Sequence, residues 1–245
     1  MGYKVEFLGL CGAGKTTFLN ELSSEIKSDK YLGIEYPVIP SLWQTLLSLI
    51  KILFIGFFFS PVSFSHFLSK KNNWWLVKKI ALRSAGIKLR GESNFILVDS
   101  GILQPFLSFE IEENVIDSNI PIHAILAGCN LPNLLLNFVV DPKIAMERYE
   151  QRGLRGDGKL IRANSKTNFN KAEKLRKNLI SYCKMNKVEI IEVDSTQNFS
   201  QEFIKSKLME INKYIKKEAC SKTPGNKYIR IWVESLQRIS KIFSQ

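Results

Sequence analysis

The sequence predicts an α/β fold in which helices lie on both faces of a mostly parallel, five-stranded sheet. Short apolar segments that end in turn residues recur along the 245-residue chain, and segments with helical periodicity separate them. Strands that alternate with helices in this way form βαβ units. The hydrophobic fraction of 45% is typical of a folded protein with one large core, which excludes disordered and fibrous classes.

The predicted strands and helices divide the chain into a core domain with two additions. The strands are Tyr3–Leu8, Tyr31–Glu35, Phe95–Val98, Leu134–Val140 and Val188–Val193. Helices are predicted for Lys15–Ile26 and around 102–118, 142–152, 168–185 and 199–217. An insertion at 41–90 and a tail at 226–243, behind a break at 221–225, stand outside the alternation. We therefore expect a core domain over 1–220 and an amphipathic basic helix within 221–245.

The most specific motif is a phosphate-binding loop between the first strand and the first helix. The segment GLCGAGKT, residues 9–16, matches G-x-x-x-x-G-K-[ST] in the required strand–loop–helix context. Backbone N–H groups of such a loop and the following helix N-terminus bind phosphate oxygens, and the lysine reaches the β- and γ-phosphates. The predicted ATP-binding residues are Gly9, Gly12, Ala13, Gly14, Lys15, Thr16 and Thr17.

A metal site is expected beside this loop. The Thr16 hydroxyl is one predicted Mg²⁺ ligand, and a second should come from a carboxylate at the end of a neighbouring strand. Asp99 directly follows the apolar segment FILV and has that position. Capping of the next helix is the alternative role for Asp99.

The segment after the fourth strand favours a kinase over other nucleotide-binding proteins. Arg148 and Arg152 are four residues apart and share a helix face, and Arg155 follows in a glycine-flanked loop. Phosphoryl transfer depends on cations around the transferred group, so these arginines are predicted to act on it. Ion pairing with neighbouring glutamates is the alternative. The guanine-reading motif of GTPases is missing, and the chain is too short for a large motor.

On these residues the chain resembles the nucleoside and nucleoside-monophosphate kinase family, of the thymidylate-kinase-like type. The matching segments are GLCGAGKTT, Asp99, the lid-like segment 142–165 with its arginines, and VEIIEVDS at 188–195. The resemblance implies a three-layer P-loop fold with strand order 2-3-1-4-5, and Glu35 as the base on the accepting hydroxyl. The family's arginine after the third strand is missing here, and Arg83 or Arg90 of the insertion is the candidate replacement.

The insertion is expected to determine which acceptor binds or to contact a membrane. Leu42–Phe59 contains one charge, Lys51, and no acidic residue occurs between Glu35 and Glu92, where eight Lys and Arg residues lie. We expect an anionic or membrane-presented acceptor and leave three roles open for Leu42–Phe59: packing on the core, contact with a partner such as a second copy, and a membrane interface. Nucleic acid is a disfavoured partner, because no RNA- or DNA-binding module is recognisable.

The expected function is therefore transfer of the γ-phosphoryl group of ATP to a small or lipid-linked acceptor. A nucleotide-dependent regulatory module at the membrane, without an acceptor, is the alternative. The four cysteines are widely spaced, without a CxxC pair, which argues against a disulfide framework or a zinc site. A cytoplasmic location, with or without peripheral membrane contact, is expected.

Overall fold

The computed structural model describes residues 3–26, 40–89, 96–112, 120–154, 165–196 and 199–222. The strands within these ranges are β1 (Lys4–Leu8), β2 (Ile96–Val98), β3 (Leu134–Val139) and β4 (Glu189–Asp194). The helices are α1 (Lys15–Ile26), α2 (Leu42–Phe59), α3 (Pro61–Ser69), α4 (Lys71–Leu89), α5 (Gln104–Glu112), α6 (Ile122–Leu126), α7 (Pro142–Leu154), α8 (Ser165–Met185) and α9 (Gln201–Lys222).

The sheet has the order β2-β1-β3-β4, and every pairing in it is parallel. These are the strands predicted as third, first, fourth and fifth, so their order agrees with the expected 2-3-1-4-5 topology. The predicted second strand, Tyr31–Glu35, lies outside the described residues, and the described sheet therefore has four strands instead of five.

Helices cover both faces of the sheet, as a three-layer fold requires. On one face, Phe18 of α1 packs its ring edge-to-face on Phe7 of β1 and Phe138 of β3, at centroid distances of 5.9 and 5.3 Å. On the other face, Ile52 of α2 and Ile80 of α4 are fully buried in a second apolar cluster. The strands are therefore buried on both sides, which is characteristic of parallel sheets.

The insertion folds as three consecutive helices, α2, α3 and α4. Ser41 caps α2 through a reciprocal pair of hydrogen bonds with Gln44, which is the capping-box arrangement. Gly56 allows Phe64 of α3 to fold back onto α2, because a Cβ at Gly56 would lie 2.5 Å from the Phe64 ring. The last described helix, α9, includes Ser221 and Lys222, so the break expected at 221–225 begins later than predicted.

Candidate active site

The glycine-rich loop joins β1 to α1 and wraps around the start of that helix. Gly12 and Gly14 adopt φ angles of +85° and +78°, a region that side chains other than glycine rarely occupy. A Cβ at Gly12 would overlap the backbone carbonyl of Ala145 in α7. The loop therefore needs glycine at position 12 for two reasons, its backbone conformation and its close approach to α7.

The side chain of Lys15 folds back onto the glycine-rich loop. Its Nζ donates hydrogen bonds to the carbonyl oxygens of Gly9 and Leu10, at 2.9 and 3.0 Å. Burial lowers the pKa of the Lys15 ammonium; Cys11 and Asp99 oppose this decrease, and the Arg152 guanidinium adds to it. The structure thus brings Lys15, Asp99 and Arg152 within electrostatic range of one another, as a site for a polyphosphate requires.

Asp99 is at the carboxyl end of β2, beside the P-loop strand. Its Oδ1 atom is buried and accepts no hydrogen bond from any described residue. A buried carboxylate oxygen usually has a partner, so an unpaired oxygen at this position fits a metal ligand. Thr16, in the first turn of α1, is exposed and presents a hydroxyl. Asp99 and Thr16 would hold Mg²⁺, whose preferred ligands are oxygens.

The arginines of the lid-like segment have different surroundings. Arg148 of α7 donates to the carbonyl oxygens of Ser195 and Thr196, at 2.7 and 3.1 Å, in the loop after β4. Arg152, one turn later, is exposed, and its charge contributes to lowering the pKa of Lys15. Arg155 and Glu35 lie outside the described part of the chain, as does Arg90. Their predicted roles remain predictions.

The loop after β4 is held against the glycine-rich loop. Ser195 donates both its backbone N–H and its hydroxyl to the Val139 carbonyl oxygen, each at 3.0 Å. Thr196 donates twice to Asp194 Oδ1, and these hydrogen bonds lower the pKa of that carboxyl. Phe199, three residues further on, would lie 3.2 Å from a Cβ at Gly14. The neighbouring loops and Arg148 thus form one connected unit.

Glu6 is a site residue that the sequence did not predict. It is in the middle of β1, is 2% exposed, and accepts a 2.6 Å hydrogen bond from the Leu103 N–H. A Cβ at Gly101 would overlap its carboxyl group. Burial raises the pKa of Glu6 to about 7, although backbone N–H groups at 102–104 and the Arg83 guanidinium oppose the shift. Glu6 therefore connects β1 to the turn that follows Asp99.

Gln104 and Arg176 complete the polar interior near the loop. The Gln104 side-chain oxygen accepts from the Gly9 N–H at 3.3 Å, which joins the start of α5 to the glycine-rich loop. Arg176 of α8 donates to the Asn137 side chain within β3 and forms two 2.7 Å hydrogen bonds to Glu173. The sequence signal that was available for Gln104 is a polar side chain inside an otherwise apolar segment, whereas Arg176 lies among other charged residues and gives no such signal.

Stability should depend on pH through Glu6. Because its carboxyl keeps its proton up to about pH 7 in the folded state but loses it near 4.5 when unfolded, the folded state binds more protons in that window. The free energy of unfolding should therefore fall as pH rises from 4.5 to 7, by up to about 3 kcal/mol. Glu6→Gln should remove this decrease and be more stable than the parent above pH 7.

The measurement is urea unfolding at a series of pH values. Glu147→Gln, at an exposed position of α7, is the matched control and should reproduce the parent pH profile. Parallel profiles for the parent protein and Glu6→Gln would contradict the prediction.

Two solved structures of deoxyadenosine kinase from M. mycoides have similar folds. The structure with bound dATP has a TM-score of 0.53 and 18% identity, over 85% of this chain and 99% of that chain. The structure with bound dCTP has a TM-score of 0.51 and 17% identity, over 86% and 99% of the two chains. No protein-family model and no curated protein matches the sequence. The chain therefore has the P-loop nucleoside kinase fold that its motifs predicted.

Proposed function

We propose that this chain is an ATP- and Mg²⁺-dependent kinase that phosphorylates a small or lipid-linked acceptor. The observation that carries the proposal is the convergence of Lys15, Asp99 and Arg152 at the glycine-rich loop. The acceptor is a nucleotide-like compound, a sugar or a glycolipid. The similarity to deoxyadenosine kinases places nucleosides and nucleotides first among the compounds to test.

In the proposed reaction an acceptor oxygen attacks the γ-phosphorus of ATP. A new P–O bond forms, the bond between the γ-phosphorus and its bridging oxygen breaks, and ADP leaves. Lys15 and Arg152 would stabilise the negative charge on the transferred group, and Glu35 would take the proton of an acceptor hydroxyl. Magnesium, when bound by Thr16 and Asp99, would neutralise phosphate charge and orient ATP.

Acceptor binding is assigned to the side of β1 that faces the insertion. Arg83 of α4 is close enough to Glu6 to lower its pKa, and Glu6 contacts the turn at Gly101. This turn corresponds to the place where related kinases have an arginine that is missing here. The Arg83 guanidinium would favour an acceptor that carries an anionic group.

The test is ATP consumption by the purified protein with a panel of acceptors, with products identified by mass spectrometry. The panel contains deoxyadenosine, thymidine, dTMP, other nucleosides and nucleotides, sugars, sugar phosphates and a membrane glycolipid extract. One compound should gain a phosphoryl group, and Asp99→Asn should lower that rate by about 10³-fold. ATP hydrolysis without a phosphorylated product would instead support the regulatory-module alternative.

Arg148 and Arg152 should affect different kinetic constants. Arg148 holds the loop after β4, and in the kinases that this chain resembles the last strand and the loop after it contact adenine. Arg148→Ala should therefore raise KM for ATP about tenfold and change kcat little. Arg152→Ala should lower kcat by about 10²-fold with little change in KM, because its charge acts on the transferred group. Steady-state kinetics with varied ATP separate the two. Equal kcat losses in both variants would contradict this division.

A further inference from the structure

The solvent-exposed face of α2 is apolar along the whole helix. Trp43, Ile50 and Phe54 are 66%, 51% and 73% exposed, and they recur at helical spacing. The same face continues with Leu42, Leu46, Leu47, Phe57 and Phe58, all of them exposed. The only charged residue of the helix, Lys51, is exposed at the edge of this face. We call the eight exposed apolar residues the α2 face: Leu42, Trp43, Leu46, Leu47, Ile50, Phe54, Phe57 and Phe58.

The opposite side of α2 is packed on the core. Ile52 and Gly56 are buried, and Ile52 lies so close to Gly128 that a Cβ there would be 2.9 Å from the Ile52 Cα. Rotation of the helix would not hide the α2 face, because it would expose the packed side instead. A contiguous exposed surface of large apolar side chains usually marks an interaction site.

A membrane-spanning arrangement of α2 is incompatible with the sheet. Leu42–Phe59 is long and apolar enough to cross a bilayer, with a mean hydropathy of 1.9, but it belongs to an insertion between two paired strands. Lys4 of β1, before the insertion, pairs directly with Ile96 of β2, after it. Both ends of the insertion are therefore on the same side, and the described helices α3 and α4 contain no second candidate span. A helix that lies along a membrane surface would cover the apolar face and would also keep both ends of the insertion on the same side of the membrane.

The charge of the insertion identifies the kind of surface that the α2 face fits. No acidic residue occurs from position 36 to 91, whereas eight lysines and arginines do. Exposed members include Lys51, Lys70 and Lys78, and Lys79 lies 4.0 Å above the Trp75 ring. Each basic residue near an anionic membrane surface strengthens binding, and aromatic side chains favour the interfacial region.

The same positive charge disfavours two other partners for the α2 face, a second copy of the chain and the chain's own tail. In a twofold dimer through the α2 face, each copy would place its acid-free segment beside that of the other copy, and the cations would repel. The chain's own tail at 226–243 is also basic, with Lys227, Arg230, Arg238 and Lys241 against one glutamate. An anionic bilayer is the occupant that complements both the apolar face and the positive charge.

We propose that the α2 face and the exposed lysines Lys51, Lys70 and Lys78 bind the surface of an anionic lipid bilayer, with the kinase core remaining in the aqueous phase. α2 lies in the headgroup region with its apolar face toward the acyl chains. This docking is independent of nucleotide and of phosphoryl transfer. It would bring the acceptor side of β1, which carries Glu6 and faces Arg83, near the membrane.

The test uses the full chain and sedimentation with vesicles. Phosphatidylcholine vesicles with and without phosphatidylglycerol are compared for the parent protein, for the double variant Ile50→Ser/Phe54→Ser, and for Lys15→Met. The matched control is Met185→Ser/Met209→Ser, which changes two residues that are 64% and 52% exposed away from the insertion. A rise in melting temperature on ATP addition checks that the serine variants are folded.

The parent protein, the methionine control and Lys15→Met should bind the vesicles that contain phosphatidylglycerol. Ile50→Ser/Phe54→Ser should bind them at least about 100-fold more weakly, because two apolar side chains no longer enter the bilayer. Absence of binding by the parent protein, or equal binding by the two double variants, would overturn the proposal. So would a parent dimer that Ile50→Ser/Phe54→Ser converts to monomers without any vesicle binding. Because Lys15→Met lacks phosphoryl transfer, vesicle binding by this variant shows that membrane binding can be correct even if the kinase assignment is wrong.

Discussion

Replacement of Lys15 by methionine should abolish phosphoryl transfer while leaving the nucleotide-free protein at least as stable as the parent. The ammonium group is the cation that the glycine-rich loop holds next to Asp99 and Arg152. Without it, charge on the β- and γ-phosphates loses its nearest counter-charge, and transfer should fall by about 10³-fold or more. Methionine has a similar length and keeps the packing volume.

The expected stability of this variant follows from the pKa of Lys15. Burial lowers that pKa, so the folded state disfavours the charged ammonium relative to the unfolded state. Removal of the charge therefore relieves an unfavourable contribution, and the Leu10 carbonyl keeps its hydrogen bond from the Ala13 N–H. The melting temperature without ATP should be equal or higher, whereas its increase on ATP addition should disappear.

A coupled transfer assay and thermal unfolding with and without ATP measure both effects. Lys184→Met, at an exposed position near the end of α8, is the matched control and should retain transfer and ATP-induced stabilisation. Transfer within tenfold of the parent rate would contradict the role of Lys15, since roughly 10³-fold is expected of such a group. A large loss of stability would show that Lys15 mainly supports the fold.

The parts of the site that sequence predicts are those with a fixed spacing along the chain. Residues 9–16 are contiguous, so a strand, a turn and a helix N-terminus are sufficient to place Lys15 and Thr16. Asp99 was predictable because parallel strands end at a common edge of the sheet, and an acidic residue follows FILV. The structure places Asp99 next to β1, in the range of Lys15.

Glu6 was not predictable because its strand has a misleading pattern. In KVEFL the charged residues alternate with apolar ones, which is typical of a strand with one face in water. The insertion covers that second face, so Glu6 becomes buried, and its partner is the N–H of Leu103, 97 residues away. The backbone N–H groups at 102–104 offset only part of the cost of burying this carboxyl group.

The contacts of α7 also required the three-dimensional arrangement. The spacing of Arg148 and Arg152 predicts a shared helix face. It does not reveal that Arg148 donates hydrogen bonds to the carbonyl oxygens of Ser195 and Thr196, after β4. Similarly, the composition of Leu42–Phe59 is compatible with full burial or with an interface. The packing of α4 and α6 on one side of α2 decides which of its apolar residues remain exposed.

Gly12→Ala should destabilise the protein by about 3 kcal/mol or more, and Gly14→Ala by about half of that. Both positions have positive φ angles, and an L-residue there costs about 1–2 kcal/mol. At Gly14 the new methyl group would meet the Phe199 ring at 3.2 Å, and that side chain can move. At Gly12 it would overlap the backbone of Ala145, and α7 must move, which adds about 1–3 kcal/mol.

The two alanine variants are controls for each other, because the backbone conformation is nearly the same and only the neighbour differs. Urea unfolding gives the free-energy difference between them, which isolates the contact of the glycine-rich loop with α7. Displacement of α7 also displaces Arg152, so Gly12→Ala should lose more kcat than Gly14→Ala at saturating ATP. Equal losses of stability in the two variants would mean that the loop can separate from α7 at no cost. The loop and α7 would then be independent elements, and Arg152 would need another means of positioning on the phosphates.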